Sequence, residues 1–212
     1  MAIPGEVHEG QPVLHYGGPV GSSRLAAICM HGRGASAEDI LGLAPELGAD
    51  DVAYLAPQAA GHTWYPYSFL SPISQNEPAL TSALAVLGRL VADLGQQGKS
   101  SEQVVILGFS QGACLALEFA ARNPRRYRAI VGLSGGLIGP PGTPRAYAGS
   151  MAETPVLLGC SDIDPHIPLE RVRESAEVFR RMGARVDERI YKRMGHTINA
   201  DELAAVRDLV RL

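Results

Sequence analysis

The sequence predicts an α/β fold, with one domain over residues 1–212, a mostly parallel central sheet and helices on both faces of that sheet. Strand-like and helix-like segments alternate from one end of the chain to the other. The strand-like segments are continuous apolar runs, as in parallel strands that helices bury on both faces. A chain of 212 residues also fits one domain, because single α/β domains commonly reach about 200–250 residues.

The individual elements follow from apolar runs and their periodicity. Six runs are predicted as strands, at residues 25–31, 52–56, 103–109, 129–133, 155–159 and 185–191. Five segments are predicted as helices, at residues 37–47, 78–98, 111–122, 169–182 and 201–212. The segment 78–98 is the clearest helix, because steps of three and four residues form one apolar stripe, at Leu80, Leu84, Leu87, Val91 and Leu94.

Two irregular stretches, at residues 57–77 and 135–149, follow predicted strands, where open α/β sheets place their ligands. Both are interpreted as functional loops, with flexible connections as the alternative. The first loop is expected to wall an apolar acyl or aryl pocket, although core packing is an equally good interpretation for any one of its aromatic side chains. The predicted substrate-binding residues are Trp64, Tyr65, Phe69, Leu70 and, from a later loop, His166.

The composition excludes several classes of function. A net charge of −3 gives no electrostatic reason to expect a nucleic acid or an anionic membrane as partner. Cys29, Cys114 and Cys160 are too few and too far apart for a disulfide framework or a zinc site, and are expected to be buried reduced thiols. The chain opens without a signal-peptide pattern and has no apolar run of the roughly 18–20 residues that span a membrane. A cytoplasmic protein without a membrane span is therefore predicted.

The sharpest motif is Gly108-Phe109-Ser110-Gln111-Gly112, between an apolar strand and a helix. A serine in this position lies on a tight, strained turn, and the flanking glycines remove Cβ atoms that would clash there. The turn lifts the hydroxyl out of the sheet, beside a helix N-terminus that favours developing negative charge. Ser110 is therefore predicted to be a nucleophile, with a helix N-cap as its alternative role.

A serine hydroxyl needs a base that takes its proton, and this order of motifs places the base late in the chain. Only His166 and His196 follow Ser110. His196 lies between the last predicted strand and the last helix, so it can reach the edge where the strands end. His166 lies within the segment that supplies the acid and would leave no room for an acid between itself and the serine. His196 is therefore predicted as the base.

The acid that orients the base is expected in the loop after the strand 155–159, where Asp162 and Asp164 compete. Spacing does not decide between these two carboxylates, because both lie on the same loop.

The segment His31-Gly32-Arg33-Gly34, directly after the first predicted strand, supplies a fourth element. An acyl-transfer site needs two N–H donors directed at the oxyanion of the tetrahedral intermediate. The backbone amides of Arg33 and Gln111 are predicted to supply them, while the structural alternative is a tight turn in which Ser36 caps the next helix. The Arg33 side chain is expected either to attract an anionic group on the substrate or to form a salt bridge with an acid such as Glu38 or Asp39.

With these elements placed, the chain resembles the phospholipase/carboxylesterase family of α/β-hydrolases over nearly its whole length. The family's G-F-S-Q-G elbow is present letter for letter, and its G-H base motif is matched by Gly195-His196. Its D-x-x-V-P acid motif is matched by residues 164–168, so the resemblance assigns the acid to Asp164 and leaves Asp162 as a loop-capping residue. The resemblance implies a minimal α/β-hydrolase without a large cap domain, no cofactor, a small-molecule ester substrate and a homodimer as one assembly state.

Two departures from the family pattern bear on the substrate. Thioesterase members usually carry a hydrophobic residue where this chain has Arg33, and His-Gly where it has Cys160-Ser161. The arginine form is more similar to the bacterial carboxylesterases. The predicted function is therefore a serine carboxylesterase acting on small or short-chain esters, with acyl-protein thioesterase or lysophospholipase activity as the alternative. A lactone hydrolase of the dienelactone type would carry cysteine at position 110, and an inactive α/β-hydrolase that only binds ligands would generally lack a member of the triad.

Overall fold

The computed structural model describes residues 6–48 and 51–211, which form a seven-stranded sheet flanked by helices. The strands are β1 (Val13–Gly17), β2 (Leu25–Met30), β3 (Val52–Pro57), β4 (Val104–Phe109), β5 (Ala129–Leu133), β6 (Pro155–Ser161) and β7 (Arg185–Tyr191). The α-helices are α1 (Ala37–Leu41), α2 (Ala44–Leu47), α3 (Ala79–Gln96), α4 (Gln111–Arg122), α5 (Leu169–Arg181) and α6 (Ala200–Arg211). The last residue of the final predicted helix lies outside the described residues.

The sheet has the strand order β1-β3-β2-β4-β5-β6-β7. Strand β1 pairs with β3 in antiparallel fashion, and every other neighbouring pair is parallel. The predicted α/β fold with a mostly parallel sheet is therefore confirmed. Because the parallel strands share one direction, their carboxyl ends meet at one edge, and the loops after them lie side by side there.

The core has two layers, one on each face of the sheet, as the alternation of side chains along β2 shows. Ala26, Ile28 and Met30 belong to a buried cluster with side chains of α3, α4 and α5. Leu25, Ala27 and Cys29 belong to a second cluster with side chains of α1, α2 and α6. Successive strand side chains point to opposite faces, so a strand covered on both sides must be apolar throughout. The three cysteines are buried and free, as the sequence predicts.

The structure differs from the prediction at two elements. Strand β1 was not predicted, because it is an edge strand whose side chains are partly buried or exposed and show no apolar run. The predicted helix at 37–47 is wrong, since it is divided into α1 and α2 around Gly42 and Leu43. Pro45 explains the break, because it has no N–H to donate to the carbonyl of Leu41 and its ring would clash with that carbonyl.

Helix α3 confirms the predicted long helix and refines its apolar stripe. Leu80, Leu87 and Leu94 are fully buried, as predicted, whereas Leu84 and Val91 are only partly buried and pack on the edge of the core. The other buried residues of this helix are Ser82, Ala83, Val86 and Leu90. Within the described residues, no helix is both long enough and apolar enough to cross a membrane.

Candidate active site

Ser110 lies on the turn between β4 and α4, with φ of 55° and ψ of −119°, a backbone conformation that non-glycine residues rarely adopt. The amide of Ser110 donates to the carbonyl of Leu133 at 2.9 Å, and its carbonyl accepts from the amide of Cys114 at 3.0 Å. These bonds to β5 and α4 hold the turn in its strained conformation. The hydroxyl is thereby presented at the edge of the sheet where the strands end.

The two glycines of the motif make this turn possible. A Cβ atom at Gly108 would lie 2.3 Å from the carbonyl carbon and oxygen of Gly112. A Cβ atom at Gly112 would lie 2.1 Å from the carbonyl oxygen of Met30. Both obstacles are backbone atoms that cannot rotate away, so helix α4 approaches β2 and β4 this closely only with glycine at both positions.

Gly112→Ala is expected to lower the free energy of unfolding by about 3 kcal/mol or more, because the added methyl group overlaps the Met30 carbonyl. Urea denaturation followed by circular dichroism measures the change. The matched control is Gly95→Ala on the exposed face of α3, where nothing lies within 4 Å, and this substitution is expected to stabilise the protein by about 0.5–1 kcal/mol. Equal stability of Gly112→Ala and the wild type would contradict the packing described here.

Three loops at the carboxyl ends of the strands bring Ser110, His196 and Asp164 into one hydrogen-bonded chain. The Oγ of Ser110 lies 2.9 Å from Nε2 of His196, and Nδ1 of His196 lies 2.7 Å from Oδ2 of Asp164. A carboxylate only accepts hydrogen bonds, so Nδ1 carries the proton and Nε2 is left to accept the proton of the serine hydroxyl. The side chain of Asp164 is 0 % exposed, and that of His196 is 18 % exposed.

Asp164 is built to stay ionised in this buried position. Its Oδ1 accepts from the amides of His166 at 2.8 Å and Ile167 at 3.0 Å. Burial opposes ionisation, but the hydrogen bonds from His196 and from these two amides outweigh it, and the pKa of Asp164 is held below its usual value. A charged Asp164 fixes the orientation of the His196 ring and stabilises its protonated form.

Asp162, the competing carboxylate, has a different place. Its Oδ1 accepts from the amide of Arg193 at 2.8 Å, in the loop that carries His196. The Oγ of Ser161 accepts from the amide of Gly195 in the same loop, at 3.2 Å. Asp162 and Ser161 thus connect the loop after β6 to the loop after β7, and of the two carboxylates only Asp164 contacts the imidazole.

The amides of Arg33 and Gln111 lie beside Ser110. A Cβ atom at Gly32 would lie 3.4 Å from the Cβ of Ser110, so the loop that carries Arg33 runs directly past the serine. Neither amide donates a hydrogen bond to any of the residues that the structure describes. Two free N–H donors next to a serine hydroxyl can bind the oxygen of a tetrahedral intermediate.

His31 orients one of these two donors, a role that the sequence motif alone did not suggest. The amide of Ala59 donates to Nε2 of His31 at 3.1 Å, so Nδ1 carries the proton and donates to the carbonyl of Gly32 at 2.7 Å. In a trans peptide the carbonyl and the following N–H point in opposite directions, so the N–H of Arg33 is turned away from His31. Burial lowers the pKa of His31, which favours the neutral ring that this arrangement needs.

A comparison of the chain with known protein families agrees with this geometry. The model of the phospholipase/carboxylesterase family matches residues 22–212 of the chain. The chain belongs to the phospholipase/carboxylesterase family. The resemblance stated from the motifs is therefore confirmed.

Solved structures and curated relatives agree with this assignment to the phospholipase/carboxylesterase family. A phospholipase/carboxylesterase from Dyadobacter fermentans is 42 % identical, with a TM-score of 0.92, over 96 % of this chain and 97 % of that chain. Esterase PE8 is 25 % identical, with a TM-score of 0.78, over 95 % of this chain and 97 % of that chain. Acyl-protein thioesterase 1 of Saccharomyces cerevisiae is 31 % identical over 123 residues, which are 54 % of this chain and 52 % of the thioesterase. The chain thus spans about half the length of this curated relative.

A cavity of about 460 Å³ opens beside Ser110 in this phospholipase/carboxylesterase fold. Of the predicted substrate-binding residues, Tyr65, Phe69 and His166 line it. Its remaining lining residues are Arg33, Pro66, Tyr67, Ser68, Ser110, Gln111, Cys114, Ile167 and His196. The loop after β3 therefore forms one wall of the pocket, and the loops after β6 and β7 form another.

Trp64 and Leu70 were expected in the pocket wall and do not line it, which corrects that prediction. Trp64 is 0 % exposed, and its Nε1 donates to the carbonyl of His31 at 2.9 Å. Its amide donates to Oε1 of Gln111 at 2.9 Å, so Trp64 connects the loop after β2 with the start of α4. Leu70 is partly buried and packs against the core. An indole N–H needs a hydrogen-bond partner when buried, and the His31 carbonyl supplies it inside the protein.

The side chain of Arg33 connects the two loops of the pocket. Its Nη1 donates to the carbonyl of Pro66 at 2.7 Å, and its Nη2 donates to the carbonyls of Tyr65 at 2.9 Å and Tyr67 at 2.5 Å. The alternative of a salt bridge with Glu38 or Asp39 is wrong, since Arg33 forms no ion pair with any acid in the described part of the chain. Asp39 instead accepts from the amide of Ser36 at 2.8 Å and closes the N-terminal cap of α1.

Glu202 is a buried carboxylate in the first turn of α6, which follows the loop that carries His196. Its Oε2 accepts from the amide of Asn199 at 2.9 Å, where α6 begins. Its Oε1 faces β6, since a Cβ atom at Gly159 would lie 2.1 Å from it, and has no hydrogen-bond partner among the described residues. Burial raises the pKa of Glu202 to about 7.

The raised pKa predicts how stability changes with pH. Because the folded protein binds this proton more tightly than the unfolded chain, Glu202 favours folding at low pH, and the effect is lost as pH rises from about 4.5 to about 7. In Glu202→Gln we expect the free energy of unfolding to fall less between these pH values than in the wild type, with a difference between the two proteins of up to about 3 kcal/mol. Urea denaturation at several pH values measures it. Glu170→Gln, at an exposed position of α5, is the control that should keep the wild-type slope, and an unchanged slope in Glu202→Gln would contradict the expectation.

Proposed function

We propose that this protein is a serine carboxylesterase that hydrolyses small carboxylic esters through an acyl-enzyme on Ser110. The observation that carries the proposal is the hydrogen-bonded chain from Ser110 through His196 to Asp164, at the wall of a pocket. Membership of the phospholipase/carboxylesterase family supports the same reaction.

In the first half of the proposed reaction, Ser110 Oγ attacks the ester carbonyl while Nε2 of His196 takes the hydroxyl proton. Asp164 holds the imidazole by its Nδ1–H and stabilises the positive charge that forms on the ring. The amides of Arg33 and Gln111 bind the oxyanion. His196 then gives its proton to the departing alcohol oxygen, which leaves the acyl group on Ser110.

In the second half, water takes the place of the alcohol. His196 accepts a proton from the water molecule while the water oxygen attacks the acyl carbon. The same two amides bind the second oxyanion. His196 then returns the proton to Ser110 Oγ as the carboxylic acid leaves. The chemistry uses only side chains and backbone amides of the chain, so no cofactor takes part in the proposed reaction.

The pocket supports a small substrate. A cavity of about 460 Å³ lies near the lower end of the sizes that hold small ligands, and the side chains of Tyr65, Phe69 and Ile167 give it apolar walls. The second candidate is hydrolysis of acyl-protein thioesters, which the similarity to acyl-protein thioesterase 1 over about half of this chain favours.

Matched esters and thioesters separate the two candidates. Acetyl, butyryl, hexanoyl, decanoyl and palmitoyl esters of p-nitrophenol, and the thioesters of the same acids, are compared by kcat/KM on the wild type with Ser110→Ala as the blank. A carboxylesterase of small esters gives its highest values for the acetyl to hexanoyl oxygen esters. Highest values for decanoyl and palmitoyl thioesters would contradict that proposal and favour the thioesterase.

A further inference from the structure

The side chain of Arg33 carries a positive charge into the pocket without an acidic partner. Its three hydrogen-bond acceptors are the neutral carbonyl oxygens of Tyr65, Pro66 and Tyr67. A guanidinium group has five N–H donors, and the three bonds to these carbonyls leave two of them free. Carbonyl dipoles orient the group but do not neutralise its charge.

No acid elsewhere in the pocket wall balances this charge. The side chains that line the cavity include no aspartate or glutamate among the described residues. Asp39, in the first turn of α1, accepts hydrogen bonds from the amide and the hydroxyl of Ser36. Asp164, which does not line the cavity, accepts hydrogen bonds from Nδ1 of His196 and from two amides. The guanidinium of Arg33 is therefore the only permanently charged group among the described residues that line the cavity, although the whole chain has a net charge of −3.

His166 adds a second polar group on the other wall. It lines the cavity beside His196, with the two ring centroids 4.8 Å apart, and neither of its ring nitrogens has a hydrogen-bond partner among the described residues. An ester that reacts with Ser110 would therefore enter a pocket that offers free N–H donors from Arg33 and from the His166 ring. Such donors on an otherwise apolar wall determine which polar group of a ligand is accepted.

We infer that the substrate is an ester that also bears a carboxylate, and that Arg33 is the residue that selects it. The carboxylate accepts from the free N–H groups of the guanidinium, while the three carbonyls of the facing loop hold the group in position. The inference rests on the proposed esterase function and specifies its substrate class.

Two substitutions separate the charge of Arg33 from its contacts with the facing loop. Arg33→Lys keeps the charge but cannot bind three carbonyls in the same planar arrangement. Arg33→Gln keeps a hydrogen-bond donor and loses the charge. A role in charge recognition predicts that only Arg33→Gln changes the preference for anionic esters, whereas a purely structural role predicts that both substitutions act alike on anionic and neutral esters.

The test uses two pairs of esters in which both members have the same carbon skeleton. Monoethyl adipate and ethyl hexanoate place the carboxylate, or the methyl group that replaces it, on the acyl side. 4-Acetoxybenzoate and p-tolyl acetate place it on the alcohol side. For each pair we take the ratio of kcat/KM for the anionic ester to kcat/KM for the neutral ester, in the wild type and in both variants. The intrinsic reactivities of the two esters are the same in every experiment, so they cancel when this ratio is compared between proteins.

We expect this ratio to fall about tenfold in Arg33→Gln for at least one pair, and to stay near the wild-type value in Arg33→Lys. Because Arg33 is exposed, added salt should also lower the wild-type ratio. Unchanged ratios in Arg33→Gln for both pairs, or equal falls in both variants, would overturn the inference. Failure of the esterase proposal is distinguishable, since neutral esters would then show no turnover that depends on Ser110.

Discussion

Ser110→Ala is expected to lower kcat for a small neutral ester by roughly 10⁵–10⁶-fold, because the substitution removes the atom that attacks the carbonyl. The amides of Arg33 and Gln111 would remain in place and account for the residual rate, since an oxyanion hole alone still accelerates the reaction with water. Folding should be unaffected, because the hydroxyl has only the one side-chain partner, His196. Initial rates with butyryl p-nitrophenol, together with thermal unfolding, measure both properties.

The matched control is Ser134→Ala. Ser134 follows the neighbouring strand β5, also has a positive φ, of 51°, and is buried, but its hydroxyl has no hydrogen-bond partner in the described part of the chain. This substitution is expected to keep the wild-type kcat within about threefold, because the serine touches none of the reacting groups. Near wild-type turnover by Ser110→Ala, with Ser134→Ala as the inactive variant, would contradict the assignment of the nucleophile.

Asp164→Asn is expected to lower kcat by about 10⁴-fold with little loss of stability. An asparagine of the same shape can present its amide group to Nδ1 of His196 and favour the tautomer with the proton on Nε2, which cannot accept the proton of Ser110. The kcat values of the wild type and the variant, measured at the same pH, give the effect directly.

Asp162→Asn is the matched control on the same loop. Because Asp162 accepts only from the amide of Arg193, an asparagine oxygen can replace it, and kcat is expected to fall by less than about tenfold. A larger loss of kcat in Asp162→Asn than in Asp164→Asn would show that the imidazole is oriented by the other carboxylate.

Much of the fold could be predicted because buried parallel strands must be apolar on both faces. Strands such as β2, whose residues are all buried, are evident from composition alone. Strand β1 is not evident, because its side chains are only partly buried or exposed and its pairing with β3 depends on distant residues. Pro45 in the sequence indicates a break between α1 and α2, but the apolar residues on both sides of it favoured the prediction of one continuous helix.

The residues of the candidate site were found from motifs, but their contacts were not. The elbow at Ser110 is a local feature, since its glycines must avoid atoms within a few residues or in the adjoining strand. The choice between Asp162 and Asp164 is a matter of distances across three loops, which spacing along the chain does not determine. Trp64 illustrates the same limit, because a large aromatic in a loop fits a pocket wall and a buried support equally well until its neighbours are known.

Arg33 shows how one position can serve two purposes that the sequence cannot separate. Its amide lies beside Ser110, as the motif predicts, while its side chain reaches across to the carbonyls of the loop after β3. Because those carbonyl groups belong to the backbone, which every residue has, the residue types in the sequence do not predict these contacts.

The nucleophile can be identified most directly by reaction of the wild type with a fluorophosphonate probe, followed by mass spectrometry of the intact protein and of its peptides. The probe reacts with a serine hydroxyl that a neighbouring base activates, and not with an ordinary serine. We expect one adduct per chain, on the peptide that contains Ser110, and loss of that adduct in His196→Ala. An unlabelled wild-type protein, or an adduct on any other residue, would contradict the assignment of Ser110 as an activated nucleophile.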